Sequence, residues 1–198
     1  MDRRRLAMAT GVVGIGSTAC LALLFAVGEP FGVLNDVGNG LLGVLSVGLA
    51  VALRRPGAGP AAAVGLAGLG AAISVVGSVL VTSGATGFVL AGFVSGVGFA
   101  CIGLWLFGAS PSMLSGGNVS PRVSRLGAVA GLAMVTGIVG LPGIALRLDD
   151  LATLPAWAWI PFVGWLGTSI LYPIWAIAVG RAAASRSRVP PAVEAGAA

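Results

Sequence analysis

The sequence predicts an all-α polytopic membrane protein, a six-transmembrane-helix bundle with both termini cytoplasmic. Two observations lead there. Of the 198 residues, 57% are hydrophobic and only 9% charged, with a mean hydropathy of +1.03. Soluble domains keep about 25% charged residues to cover their surface, and a chain this poor in charge would aggregate in water through exposed apolar patches. The second observation is spacing. Apolar runs of about 20 residues, the length that crosses hydrocarbon, alternate with short polar breaks. Barrel strands alternate apolar with polar residues over about ten positions, whereas these runs are apolar on every face for twice that length. The spans are therefore helices.

The first span, 6–27, follows Asp2-Arg3-Arg4-Arg5. It is too long for a cleaved signal peptide and lacks a small-residue exit, so it is expected to be retained. The second, 34–53, ends at Arg54-Arg55-Pro56-Gly57, and the third, 61–81, closes at Thr82-Ser83-Gly84. The fourth, 87–107, gives way to the longest polar connection, Ser110 to Ser124. The fifth, 126–146, leads through Arg147-Leu148-Asp149-Asp150 into the sixth, 157–179. Residues 1–180 form one transmembrane domain, and 181–198 are expected to be a disordered cytoplasmic tail. Pro142, Pro161 and Pro173 should kink or shorten their helices. Trp157, Trp159, Trp105, Phe107 and Trp175 fall near span ends, as interfacial belts do.

Charge orients the bundle. All of the 11 basic residues are arginines, and every one except Arg147 falls at a single set of span junctions. The opposite junctions hold Arg147 with Glu29, Asp36, Asp149 and Asp150. Arginines in short loops resist translocation, which puts their side in the cytoplasm. The net charge of +5 is thus a matter of topology and anionic headgroups, and nucleic acid is not expected as a partner. Arginine without lysine, in an Ala/Gly/Val-rich chain, points to GC-rich bacterial coding and hence to a bacterial plasma membrane.

Absences exclude several chemistries. Without histidine there is no bis-His haem and no His-ligated zinc site. Without lysine there is no retinal Schiff base. Cys20 and Cys101 lie at depths about 11 Å apart by helical rise, beyond the ~7 Å that a disulfide tolerates, so they read as apolar packing residues. No catalytic constellation and no cofactor site emerges. Ser74, Ser78, Ser95, Thr136, Thr168 and Ser169 read as hydroxyls bonding back to helix carbonyls or across helices. Gly92-xxx-Gly96 and Gly127-xxx-Gly131 have the spacing of close helix contacts, more readily inside one bundle than between proteins.

The candidate site is a polar mouth made of Glu29, Asn35, Asp36, Asn39, Arg147, Asp149 and Asp150. Asn35 and Asn39 are one turn apart, with Asp36 beside them, and Gly32, Gly40 and Gly43 extend the stripe. An ionisable residue within a span is a functional suspect. The competing reading makes Asn35 or Asp36 the cap of the second helix, since short polar side chains accept orphan N–H groups there. Arg147 is expected to pair with Asp149 or Asp150, or, in a sharper version, with Asp36 across the mouth.

Three segments, Phe31-Gly32-Val33-Leu34-Asn35-Asp36, Pro121-Arg122 and Tyr172-Pro173-Ile174-Trp175, make the chain similar to a broad group of uncharacterised, actinobacterial-type six-helix integral membrane proteins. That resemblance implies six helices and no assigned activity. Two functions stay open: a non-enzymatic bundle that binds or passes a small-molecule or lipid ligand through its outward mouth, and a structural or regulatory unit that docks a membrane-protein partner through Gly-rich faces.

Overall fold

A computed structural model describes residues 2–54, 61–115 and 119–186. Its helices are α1 (Arg3–Val27), α2 (Phe31–Leu53), α3 (Ala61–Thr82), α4 (Phe88–Ser115), α5 (Pro121–Val135), α6 (Leu141–Ala145), α7 (Pro161–Leu166) and α8 (Tyr172–Arg186). A 3₁₀ segment, Thr136–Gly140, joins α5 to α6, and a π-helical segment, Gly167–Leu171, joins α7 to α8. The described chain thus holds 6 helical stretches long and apolar enough to cross a membrane, the last two running Pro121–Ala145 and Ala156–Ser185. No strand occurs among the described residues.

The stretches form a closed ring. α1 lies between α2 and α8, α2 packs on α3, α3 on α4, and α4 on α5, which meets the π segment and α8 to complete the circle. Glycine sets how closely the spans approach. A Cβ on Gly98 would stand 2.6 Å from the Gly70 carbonyl oxygen, and one on Gly131 would stand 2.6 Å from that of Gly103. The α3–α4 and α4–α5 seams are therefore backbone against backbone, with no room for a side chain.

Loops bring like residues to like ends. One end carries the described arginines other than Arg147, and there Arg3 donates from Nε and Nη2 to the Ala52 carbonyl at 3.1 and 2.9 Å and so closes α2. The bundle's arginine half is filled by large rings: Trp175 stacks on Tyr172 at 5.6 Å and meets Trp105 edge-on at 6.3 Å. The other end carries Glu29, Arg147, Asp149 and Asp150. There α1 and α3 stop at left-handed glycines, Gly28 (φ 96°) and Gly84 (φ 71°). α6 stops the same way at Arg147, φ 53°, where Leu148 N–H returns to the Gly143 carbonyl at 2.9 Å.

Several boundaries differ from those read in the sequence. α2 begins at Phe31, one turn before the expected 34, because Pro30 ends the preceding turn and leaves the next residues free to wind. The polar connection after span four is mostly helical: α4 runs on to Ser115, and α5 starts at Pro121 behind Ser120, whose hydroxyl accepts from Val123 N–H at 3.4 Å. Spans five and six are interrupted rather than continuous. Pro142 and Pro161 sit in first turns of new helices, and Gly137 abuts the Gly96 backbone. The expected tail from 181 starts later, since α8 continues to Arg186; 187–198 lie outside the described residues. Cys20 and Cys101 are both free.

Candidate polar chamber

A cavity of about 40 Å³ lies inside the acidic half of the ring. A space of that size holds roughly three waters, since each needs about 10–15 Å³ measured the same way. α2 contributes Asn35, Asp36 and Asn39 to its wall, and the last span contributes Trp165, Thr168 and Ser169. α4 supplies Phe88, Ser95 and Phe99 together with Gly92 and Gly96, and α3 supplies Gly77. Gly77 and Gly92 let neighbours close in, a Cβ there meeting Ser95 and the Trp165 ring, whereas one on Gly96 would meet nothing nearer than the Gly137 backbone at 4.0 Å. Asp36 is the one ionisable group in this lining, and no basic side chain faces it.

Hydrogen bonds fix the polar wall. Ser17 Oγ lies 2.9 Å from the Asn35 carbonyl, 3.1 Å from Asn35 Oδ1 and 3.0 Å from Asn39 Oδ1. A hydroxyl has one proton, so it donates to one of these at a time and holds both asparagines near α1. Asn35 Nδ2 in turn donates to Asp36 Oδ1 at 3.2 Å. Across the chamber, Pro173 has no N–H for the Ser169 carbonyl four residues back. Thr18 Oγ1 from α1 donates to that carbonyl at 2.8 Å. The π offset in the same stretch turns Thr168 and Ser169 together toward the void, a placement common to helix irregularities at binding sites.

A chain of aromatic rings links α1, α4 and the last span, and its Phe88 and Trp165 line the chamber. Phe25 meets Phe88 edge-on at 6.5 Å, Phe88 meets Trp165 at 5.6 Å, Trp165 meets Phe162 at 4.7 Å, and Phe162 meets Trp159 at 4.9 Å. Toward the arginine end the axis is filled by Leu42, Ser46, Ile102 and Tyr172, none more than 1% exposed. The chamber is thus a blind recess and ends at Phe99.

The expected mouth residues separate into two groups. Asn35, Asp36 and Asn39 line the chamber, and none of them caps α2: the helix starts at Phe31, so they stand one turn or more inside it. The other four do not line it, and two of them, Asp149 and Asp150, cap helical turns. Asp149 accepts from Gly87 N–H at 2.5 Å and Leu90 N–H at 3.0 Å, capping α4 from about 60 residues away in sequence. Asp150 caps the turn Leu151–Thr153 through Ala152 N–H at 2.9 Å. Glu29 is exposed, its carboxylate against Gly32. Arg147 is exposed, and among the described residues no ion pair joins it to Asp36, Asp149 or Asp150. The expected Arg147 pairing does not form among the described residues; Asp149 and Asp150 accept from backbone N–H groups instead.

Ser17, Phe88 and Trp165 were not singled out as site residues from the sequence. Trp165 lies between Pro161 and Pro173, and that bracket is the signal that marks its stretch as irregular. Comparison with known proteins adds no relative: no protein-family profile, curated protein or solved structure matches the chain.

Proposed function

We propose that this chain is a multi-pass protein of a bacterial plasma membrane, its arginine end cytoplasmic, and that its chamber binds a small organic cation without covalent chemistry. The observation that carries the reading is the lining: one carboxylate, Asp36, two asparagines, and the rings of Phe88, Phe99 and Trp165, with no opposing base. Carboxylate plus aromatic faces is the surrounding that an ammonium group prefers, each cation–π contact contributing about 0.5–2 kcal/mol. An anion would face Asp36 with no cationic side chain in the lining to offset it.

Membrane placement rests on the exterior. Phe25, Val27, Leu132 and Leu146 are each at least 60% exposed, which hydrocarbon tolerates and water does not. Orientation rests on the arginine asymmetry. In variants lacking Cys20 and Cys101, a cysteine at Ser83 should react with an impermeant maleimide on intact cells, and one at Asp2 only after lysis. The reverse pattern would overturn the topology.

Binding is tested with ethylammonium and the full chain in phosphatidylcholine nanodiscs, read by tryptophan fluorescence, since Trp165 lines the chamber. The wild-type response should saturate, and Asp36→Asn should weaken it at least tenfold. An identical titration in both proteins would remove the reading. The alternative, docking of a membrane-protein partner, has less to rest on. Gly92, Gly96, Gly127 and Gly131 all face neighbours within the ring, so a partner would have to use outward glycines such as Gly16, Gly65 and Gly68.

A further inference from the structure

Two apolar grooves run along the outer surface between α1 and the last span. One, of about 420 Å³, is lined by Thr18, Leu21, Trp159, Phe162, Trp165 and Ser169 among others. The second, of about 370 Å³, continues it along Ile15, Ala19, Ala22 and Ile174, and shares Thr18, Ser169 and Ile170 with the first. Leu21, Trp165 and Ser169 also line the chamber. The groove and the polar chamber are therefore two sides of one thin wall, three side chains wide, in which Trp165 is the largest member. The α3–α4 and α4–α5 seams are closed by backbone contact at glycines, whereas at this level α1 and the π segment meet through side chains.

We propose that the occupant is a single-chain cationic amphiphile, with a primary ammonium head beside Asp36 and an alkyl tail in the α1 groove, entering sideways from the bilayer past Trp165. The proposal rests on the chamber reading above and adds the chemical class and the route. Three features argue for it. The chamber admits only a few water-sized groups, so the head is small. Its single carboxylate and aromatic walls select a positive head over a phosphate. The groove offers about 10 Å of apolar length between Ile15 and Ala22, by helical rise, and meets the chamber at the level of Thr18 to Leu21. A soluble cation needs no such groove, and a two-chain lipid has a head too large for the recess. The Ser169 carbonyl accepts from Thr18, and Ser169 belongs to the π-helical segment, so this part of the wall lies where the α-helical ladder is interrupted.

The test compares ethylammonium with dodecylammonium in the same nanodiscs, the latter expressed per lipid so that partitioning cancels. The variant Ala19→Phe/Ala22→Phe fills the groove from the exposed face of α1 and leaves the chamber lining untouched; its helix content and thermal midpoint are measured alongside. Dodecylammonium affinity should fall at least fivefold in this variant while ethylammonium affinity stays within twofold. A second readout uses dodecylammonium brominated near the chain end, which quenches tryptophan by contact: quenching should drop in Trp159→Phe but not in Trp105→Phe. Unchanged dodecylammonium affinity in the filled variant would overturn the inference and leave the chamber reading in place. If Asp36→Asn alters neither probe, the chamber reading itself fails and the inference with it. Should the filled variant misfold, the quenching pattern alone decides, and equal loss in Trp159→Phe and Trp105→Phe overturns the proposal.

Discussion

Thr18→Val isolates the bond that stitches α1 to the broken last span. The substitution keeps shape and removes one hydroxyl. Thr18 Oγ1 has two acceptors in reach, the Ser169 carbonyl at 2.8 Å and its own-helix Gly14 carbonyl at 2.9 Å, and one proton to share between them. The Gly14 carbonyl has an intrahelical donor in any case. The Ser169 carbonyl lacks one four residues on, because that residue is Pro173. Losing the hydroxyl should therefore cost about 1 kcal/mol, within the ~0.6–1.7 measured for interhelical bonds in membranes. Pro173→Ala supplies an N–H to that carbonyl, and in this background the Thr18→Val cost should shrink by more than the ~0.3–0.5 kcal/mol within which independent sites add. The Pro173 ring packs over Gly14, and its removal weakens the Pro173→Ala single and double variants alike, so that effect cancels in the cycle. Reversible unfolding in mixed micelles by SDS titration measures all four proteins. Equal Thr18→Val costs in the two backgrounds would refute the account of the freed carbonyl.

Other substitutions probe the same framework. Asp149→Ala removes the acceptor for two N–H groups at the start of α4 and should lower stability by about 1 kcal/mol, as lost caps do, with Asp149→Asn retaining part of it; matching midpoints for Ala and wild type would show the cap to be idle. Arg147→Gly relieves a left-handed φ of 53° and should raise stability by roughly 1 kcal/mol, visible as a higher midpoint, whereas a lower one would mean the guanidinium contributes more than the strain costs. Tyr172 Oη donates to Ser46 Oγ at 2.8 Å, and Ser46 donates onward to Leu42 carbonyl at 2.7 Å. Tyr172→Phe leaves Ser46 satisfied, whereas Ser46→Ala strands a buried phenol, so the second should cost more, about 1–3 kcal/mol against about 1. The opposite order in the SDS titration would contradict the assigned donor direction.

The spans and the division into an arginine end and an acidic end were legible because each depends on composition over twenty residues, an average that local detail cannot erase. The acidic end is built from contacts the sequence did not suggest: Asp149 reaches Gly87, and Phe25 reaches Phe88. Boundaries were less legible. A short polar pair near a span start resembles a cap, yet Pro30 set the start of α2 a turn earlier and moved Asn35 and Asp36 inside. Half of the chamber could be read, namely the Asn35–Asp36–Asn39 face, because one helix carries it. The facing half lies at Gly77, Gly92 and Gly96; the Gly92-xxx-Gly96 spacing marks a close helix contact but not a chamber wall, and among 33 glycines nothing in the sequence marks Gly77. Trp165 opposes Asp36 across about 130 residues of chain, and no periodicity within either segment registers that distance.

The void also has a cause in how this bundle is packed. Glycine seams draw α3, α4 and α5 into backbone contact, and large rings fill the arginine half, so a dry interior was available throughout. At the acidic half the packing is looser at Gly96, where a Cβ would meet nothing nearer than the Gly137 backbone at 4.0 Å. Ser17 keeps Asn35 and Asn39 toward α1, and the π offset carries Thr168 and Ser169 around the last span. The polar groups around the space are tied to protein partners on one side only, which leaves Asp36 with an open face toward the aromatic rings. Apolar residues at these positions would close the gap and stabilise the ring by their packing. Keeping a carboxylate, two amides and three rings around an opening instead is a cost to folding, and a ligand that uses all three chemistries at once is the physical reason such a cost would be retained.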